Sequence, residues 1–335
     1  MERLTSLSKH LQPPKMPYKM NPEVEVALRP RMEARAKMGP IATHDVETRR
    51  KLYGAVFALL NEQTPNPGDV SQKIFHTKTP DGHSLELTWF TKKGTQATPG
   101  PAILHIHGGG MILASVPQYN FVLNTLVSAT SVPFLSVEYR YAPEHLAPTL
   151  VEDCFVALTW LRDNASTLLV DPTRIGIYGD SGGGGIAAGL ALLARDRAFS
   201  PPLAKQVLIY PMLDDRTTVP DPAMLPFIGW SYDDNLTGWT ALLGKDVVGT
   251  DKVSQYAVPA RAKDVGGLPP TYIDVGELDI FRDEDVEYAR RMMASEVSVE
   301  LHVHPGVPHA WEFFAPDAEV SRRAIQDRIR AITSF

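Results

Sequence analysis

Ser181 is the residue of this chain whose neighbours best suit it to act as a nucleophile. It stands in the segment Gly179-Asp-Ser-Gly-Gly183, which has the spacing G-x-S-x-G. The apolar run that ends at Tyr178 predicts a strand, and the small residues after Ser181 predict a helix. A serine on so sharp a turn adopts strained dihedral angles, and the flanking glycines let strand and helix approach each other. Because the helix N-terminus also favours a developing oxyanion, the segment predicts attack on a carbonyl carbon.

Three other interpretations fit the same segment. Its five residues also resemble the serine signature of trypsin-like proteases, but those folds are all-β and commonly carry disulfides. This chain alternates strands with helices and has one cysteine. Gly183-x-Gly185-x-x-Ala188 formally matches a dinucleotide-binding fingerprint, yet it begins late after the strand and no acidic residue ends the next strand. A glycine-rich turn can also be purely structural, so this segment favours catalysis without excluding that reading.

A second glycine-rich motif, His107-Gly-Gly-Gly110, follows another predicted strand. Acyl transfer builds negative charge on the carbonyl oxygen, and preorganised backbone N–H groups stabilise that charge. A loop of this type supplies such donors together with the N–H after the nucleophile, which predicts an oxyanion hole at Gly108, Gly109 and Gly182. His107 precedes the glycines, so we interpret it as a scaffold of the loop and not as a base.

These two motifs and three further segments make the chain resemble the hormone-sensitive-lipase-like esterases of the α/β-hydrolase superfamily, over roughly residues 70–335. The further segments are Glu138-Tyr-Arg-Tyr-Ala-Pro-Glu-His145, Asp279-Ile-Phe-Arg-Asp-Glu284 and His309. The resemblance implies an α/β-hydrolase fold and a serine esterase that needs no cofactor and no metal. Two positions depart from the family pattern. Gly182 stands where the family usually has Ala, and Ile280-Phe281 stands where it usually has Pro-Leu.

The base and the acid of the implied triad lie beyond Ser181, because in this fold serine, acid and histidine follow in that order. Of the ten histidines only His302, His304 and His309 come after Ser181. His302 and His304 fall on the polar face of an alternating strand, and we interpret them as solvent-facing. His309 follows that strand in the loop where the family places its base. It is therefore predicted to take the Ser181 proton and later protonate the leaving alkoxide.

The acid is expected in the loop after the predicted strand Thr271–Val275. Glu277 and Asp279 remain there once the carboxylates of the strand and of the next helix are set aside. The family pattern matches Asp279, which is predicted to orient His309 and stabilise its cation. Glu277 stays open as the alternative acid. Asp180, beside the nucleophile, is expected to accept a supporting hydrogen bond without being catalytic.

The rest of the chain supplies the elements that position these residues. Short apolar runs alternate with helical patterns from Gln72 onward, which is typical of an α/β fold with a mostly parallel sheet and helices on both faces. The first two strands are close enough in sequence to pair antiparallel, so the sheet is predicted to be mixed and eight-stranded. The predicted strands are Lys73–Thr77, Leu85–Phe90, Ala102–His107, Pro133–Val137, Arg174–Tyr178, Gln206–Tyr210, Thr271–Val275 and Val299–His304. The predicted helices are Val24–Met38, Thr48–Leu60, Leu150–Asn164, Ile186–Arg197, Asp285–Ala294 and Glu319–Ile332.

Two segments are predicted to cover the site as a helical cap. Residues 1–50 form an N-terminal cap segment, and residues 51–335 form the catalytic domain, in which 212–268 is a lid insertion with its own helices. The insertion is rich in aromatic side chains, and three of them are predicted to line a pocket that binds short acyl chains: Phe227, Trp230 and Tyr232. The alternative is that these aromatics only anchor the insertion to the core.

Composition limits the partners. The formal charge of −6 provides no basic surface for nucleic acid. Cys154, the single cysteine, excludes an internal disulfide, and its helical spacing with apolar neighbours predicts burial. The N-terminus lacks an apolar core of signal-peptide length, and no stretch is long enough to span a bilayer. We therefore expect a cytoplasmic protein that acts on a small-molecule ester and not on a membrane.

The sequence thus predicts a carboxylesterase that hydrolyses small, short-chain esters through a Ser-His-Asp triad and an acyl-enzyme. Relatives of this kind often form homodimers, which makes a homodimer a candidate assembly. Two alternatives stay open. One is a non-catalytic small-molecule receptor of the same fold, and the other is an amidase or deacetylase that uses the same triad.

Overall fold

The computed structural model describes residues 18–94 and 98–335 and contains a mixed eight-stranded sheet, as the sequence predicts. Its strands are β1 Val70–Lys78, β2 Ser84–Lys92, β3 Gly100–Ile106, β4 Phe134–Val137, β5 Val170–Asp180, β6 Lys205–Ile209, β7 Thr271–Gly276 and β8 Val299–His304. They lie in the order β1-β2-β4-β3-β5-β6-β7-β8. All eight predicted strands are present, with ends that differ by a few residues.

Strand direction places the candidate residues at one edge of the sheet. β2 pairs antiparallel with β1 and with β4, whereas β4, β3, β5, β6, β7 and β8 are mutually parallel neighbours. The carboxyl ends of parallel strands meet at the same edge, where ligands bind in open α/β sheets. The loops after β3, β5, β7 and β8 carry Gly108, Ser181, Asp279 and His309 respectively.

Eight α-helices occur in the described ranges. They are α1 Pro22–Met38, α2 Val46–Gln63, α3 Asn120–Thr130, α4 Thr149–Asp163, α5 Gly182–Asp196, α6 Tyr232–Leu243, α7 Arg282–Ala294 and α8 Glu319–Thr333. Six correspond to predicted helices, and α6 is the one α-helix of the insertion, whose remaining chain is irregular apart from a 3₁₀ turn. No helix in these ranges combines the length and apolarity required to cross a membrane.

Helix α3 is absent from the sequence prediction. Its segment contains β-branched residues and asparagines, which have low helix propensity. Phe121, Leu123, Leu126 and Val127 are nevertheless buried on one side of it. Packing against the sheet therefore stabilises this helix, in the way tertiary contacts commonly override propensity.

The two segments that flank the site contact each other through buried polar groups. Arg49 on α2 donates to Asp234 on α6 at 2.7 Å, and the two side chains are 1% and 5% exposed. The backbone N–H of His44 donates to Thr237 Oγ1 at 2.9 Å, and the rings of Tyr53 and Trp230 lie 5.7 Å apart. Helix α2 extends past residue 50, the expected end of the N-terminal segment, and residues 1–17 of that segment lie outside the described part of the chain.

His304 corrects one sequence interpretation. It is buried, with its ring 5.3 Å from that of Trp311, whereas Val303 is 41% exposed and His302 is half-buried. The alternation in sequence gives this strand two faces. It does not reveal that the turn after His309 folds back and covers the face that carries the histidines. Cys154 is buried, as expected.

Candidate active site

Ser181 occupies a strained turn between β5 and α5. Its φ of 53° and ψ of −123° lie outside the regions that most residues adopt. A Cβ at Gly179 would lie 2.3 Å from the carbonyl oxygen of Gly183, so the G-x-S-x-G spacing is a steric requirement of this turn. The backbone N–H of Ser181 donates to the carbonyl of Ile209 on the neighbouring strand at 2.9 Å, which fixes the turn against the sheet.

Ser181, His309 and Asp279 form a continuous hydrogen-bonded chain. Ser181 Oγ lies 2.9 Å from His309 Nε2, and His309 Nδ1 lies 2.6 Å from Asp279 Oδ2. The other oxygen of Asp279 accepts from the backbone N–H of Phe281 at 3.0 Å. An ionised carboxylate places the imidazole proton on Nδ1, which leaves Nε2 free to accept from the serine. The arrangement can therefore remove a proton from Ser181.

Two aromatic rings fix the imidazole from the sides. The ring of Tyr210 lies 4.6 Å from that of His309 and the ring of Phe281 lies 5.2 Å from it, both in edge geometry. Tyr210 is in turn held from below, because its hydroxyl donates to Glu312 at 2.7 Å and Arg328 also binds Glu312. Burial and the neighbouring Glu312 hold the pKa of Tyr210 well above its usual range.

Glu277, the alternative acid, has a different partner. Its Oε2 accepts from the backbone N–H of Gly306 at 2.8 Å, in the turn that leads to His309. The carboxylate that accepts from His309 Nδ1 is that of Asp279. Glu277 is therefore placed to hold the loop that carries the histidine.

The glycine loop after β3 lies against the nucleophile turn. A Cβ at Gly182 would be 2.8 Å from the backbone nitrogen of Gly110, so the turn and the loop are in direct backbone contact. Gly109 and Gly110 line the same cavity as Ser181. His107 is buried with its ring stacked 4.4 Å from Tyr139, and its Nδ1 lies 2.8 Å from the carbonyl oxygen of Gly108. These contacts place Gly109 and Gly110 beside Ser181 in the cavity and Gly182 against the same loop.

Asp180 binds a partner that the sequence did not identify. Its Oδ2 accepts from the hydroxyl of Tyr119 at 2.7 Å, and a Cβ at Gly108 would lie 2.5 Å from both of these oxygens. Gly108 therefore packs directly against this pair, which leaves no room for a side chain at that position. Burial raises the pKa of Asp180 to about 7, although the Tyr119 hydrogen bond acts to lower it. Because Tyr119 is 61 residues away in sequence, no local pattern indicated this contact.

A cavity of about 100 Å³ opens in front of Ser181. Its walls come from the N-terminal helices, the glycine loop, the start of the insertion and the turn after His309. Trp230 is the one predicted acyl-pocket residue in this lining, and Phe227 and Tyr232 lie outside it. Phe227 is half-buried against the core, and Tyr232 is buried as the first residue of α6. Side chains that sequence reasoning missed complete the wall: Arg31, Tyr53, Val56, Phe57, Leu60, Phe313 and Phe314.

One group of potential metal ligands lies away from this cavity. Glu300, His302 and Asp327 bring their ligand atoms close together within the described residues. Arg330 already pairs with Glu300 and with Asp327, and Glu300 also lies 2.7 Å from His302 Nε2. The guanidinium of Arg330 therefore already supplies the positive charge that a metal ion would bring to this cluster.

The chain is similar in sequence to known hydrolases. The profile of a family described as having the alpha/beta hydrolase fold matches residues 103–313. Carboxylesterase NlhH of Mycobacterium tuberculosis is 35% identical over 64% of this chain and 67% of its own length. Ethyl acetate hydrolase of Pseudomonas putida is 28% identical over 82% of this chain and 85% of its own length.

Solved structures agree with these matches. A bacterial heroin esterase superposes with a TM-score of 0.84 at 34% identity, over 94% of this chain and 98% of the other. A hyperthermophilic esterase from the archaeon Pyrobaculum calidifontis superposes with a TM-score of 0.82 at 30% identity, over 95% and 99% of the two chains.

Proposed function

The chain belongs to the hormone-sensitive-lipase-like family of α/β-hydrolases and is a hydrolase of the carboxylesterase type. From this premise we propose that it cleaves small, short-chain esters, with Ser181 as nucleophile, His309 as base and Asp279 as acid. The observation that carries the assignment is the hydrogen-bonded chain from Ser181 Oγ through His309 to Asp279, which ends in an apolar cavity.

The proposed reaction has two halves. His309 Nε2 removes the proton as Ser181 Oγ attacks the ester carbonyl, and Asp279 stabilises the imidazolium. The backbone N–H groups of Gly108, Gly109 and Gly182 hold the oxyanion. His309 then protonates the leaving alkoxide, which gives an acyl-enzyme and the alcohol. A water molecule, activated by the same histidine, releases the acid and regenerates the serine.

The preference for short acyl chains rests on the small size of the cavity. Tyr53, Phe57 and Trp230 reduce the space in front of Ser181 to about 100 Å³. Apolar walls stabilise a bound acyl chain by about 0.8 kcal/mol per CH₂ as long as it fits. Once the cavity is full, additional methylenes force side chains out of position, which costs about 1–3 kcal/mol.

The test is kcat/KM on p-nitrophenyl esters from acetate to palmitate, for the wild type and three variants. S181A should lose about 10⁶ in rate. D279N should lose about 10⁴, because His309 is no longer held in the required tautomer. E277Q, the matched control, should lose much less, since Glu277 holds only a backbone N–H.

Three outcomes would contradict the proposal. S181A with activity within tenfold of wild type would end the nucleophile assignment. A larger loss in E277Q than in D279N would make Glu277 the acid. A kcat/KM that rises steadily toward palmitate would remove the short-chain preference while leaving ester hydrolysis intact.

A further inference from the structure

Arg31 places a positive charge in the wall of the catalytic cavity. It lies on α1, is partly buried, and lines the cavity together with Ser181 and His309. The central carbon of its guanidinium stands 3.9 Å from the centre of the Phe314 ring, which lines the same cavity. One flat face of the cation is therefore covered by an aromatic ring, whereas the donors at its edges are not consumed by that contact.

No carboxylate or carbonyl of residues 18–94 and 98–335 accepts a hydrogen bond from Arg31. Its neighbours on the same helix differ in this respect, since Arg29 pairs with Glu25 at 3.1 Å and Arg35 donates to the carbonyl of Gly39. Burial lowers the pKa of Arg31, but a guanidinium remains protonated at neutral pH. Partial burial without an acceptor costs free energy, so an anionic ligand in the cavity would stabilise Arg31 in this position.

No carboxylate in the lining of the cavity is bonded to Arg31. Its ionisable lining consists of Tyr53, Tyr119, Asp180, Tyr210 and His309 besides Arg31. Asp180 is the one carboxyl group among them; burial raises its pKa to about 7, and its Oδ2 accepts from the hydroxyl of Tyr119 and not from Arg31. Burial likewise raises the pKa values of all three tyrosines, which keeps them neutral.

Helix α1 is attached firmly to the catalytic loops, so the position of Arg31 is defined. The backbone N–H of Asn21, which caps α1, donates to the carbonyl of Gly306 at 2.7 Å, three residues before His309. Glu23 in the first turn accepts from the backbone N–H of Glu319 at 2.8 Å. The guanidinium of Arg31 is thus held at a fixed position relative to Ser181 and His309.

We propose that Arg31 recognises a carboxylate carried by the substrate, so that the enzyme acts on esters that also bear a free carboxylate. The inference rests on the proposed ester hydrolysis at Ser181. A guanidinium presents two parallel N–H donors that match the two oxygens of a carboxylate. The apolar wall would contact the carbon chain between the carboxylate and the scissile ester.

Two substrate pairs test this, each with a charged and a neutral member. Monoethyl adipate against diethyl adipate places the carboxylate on the acyl side. The second pair, 4-acetoxybenzoate and its methyl ester, places the carboxylate on the alcohol side. R31M should lower kcat/KM for the charged member of at least one pair by about 10- to 100-fold, the range of hydrogen bonds to charged groups. The neutral member should be nearly unaffected.

R29M is the matched control, because Arg29 lies two positions away on the same helix and is exposed. It should leave both members of each pair unchanged, and R31K should retain part of the discrimination. Equal losses for charged and neutral members in R31M would overturn the proposal, since they would mean that Arg31 only packs on Phe314. If the wild type hydrolyses no neutral ester and S181A changes nothing, the proposed function fails instead.

Discussion

Replacing Asp180 by Asn should make protein stability less dependent on pH. The carboxyl group is 3% exposed, lies beside the nucleophile, accepts a hydrogen bond from Tyr119 and lies 3.9 Å from His105 Nε2. Its pKa is raised from 3.8 to about 7, with burial as the main cause. Between these two values the unfolded chain loses the proton while the folded protein keeps it. Folding stability therefore falls as the pH rises from about 4 to about 7, and this loss is complete above the folded-state pKa.

The size of the effect follows from the two pKa values. A tenfold change in proton affinity is worth 1.36 kcal/mol, so the rise from 3.8 to about 7 corresponds to about 4 kcal/mol of destabilisation at pH 8. An amide has the shape of the protonated carboxyl and does not ionise. D180N should therefore match the wild type near pH 4 and exceed its free energy of unfolding by up to about 4 kcal/mol at pH 8.

The assay is urea unfolding of the wild type and D180N from pH 4 to pH 8. The informative quantity is the difference between the two free energies of unfolding, because the other titrating groups cancel in it. D171N is the control, since Asp171 is the second residue of the same strand, lies near the surface, and has its pKa lowered by hydrogen bonds from Thr173. A difference between wild type and D180N that is flat across this range would refute the reasoning.

Two further variants test the packing around the site. R49M should lower the free energy of unfolding by about 3–5 kcal/mol, because it leaves Asp234 buried without its partner. A decrease of under about 1 kcal/mol in the free energy measured by urea unfolding would contradict this. G182A should lower kcat by about 10²-fold, the cost of losing an oxyanion donor, because its Cβ would lie 2.8 Å from the nitrogen of Gly110 and 2.7 Å from that of Met111. Unchanged kcat in p-nitrophenyl acetate hydrolysis would show that the loop adjusts to the methyl group.

The sheet and the order of the chemical groups were predictable because both follow from local patterns. Buried parallel strands are nearly continuous apolar runs, and all eight strands were found from such runs or from alternation. Glycines at Gly179 and Gly183 mark a turn that other residues cannot form without steric conflict. The sequence therefore located Ser181 and its strand-to-helix turn correctly.

The wall of the cavity could not be predicted, because it is built from contacts between distant segments. Arg31 sits in a helix whose sequence is charged on most sides, and nothing local indicates which side faces the site. Aromatic residues in the insertion suggested a pocket, but only Trp230 lines it. Orientation of irregular chain depends on its tertiary partners, which periodicity does not encode.

The ion pair between Arg49 and Asp234 has a consequence for synthesis of the chain. The two residues are 185 positions apart, so helix α2 leaves the ribosome long before its partner helix exists. At 5–20 residues per second the delay is roughly 10 to 40 s. During that interval Arg49 can donate to the carbonyls of Ala42 and Asp45 in its own segment but lacks Asp234, and α2 lacks the surface on which it will dock. The cavity in front of Ser181 is therefore among the last parts of the molecule to form, and a nascent chain that stops before the insertion contains the serine without a site to use it.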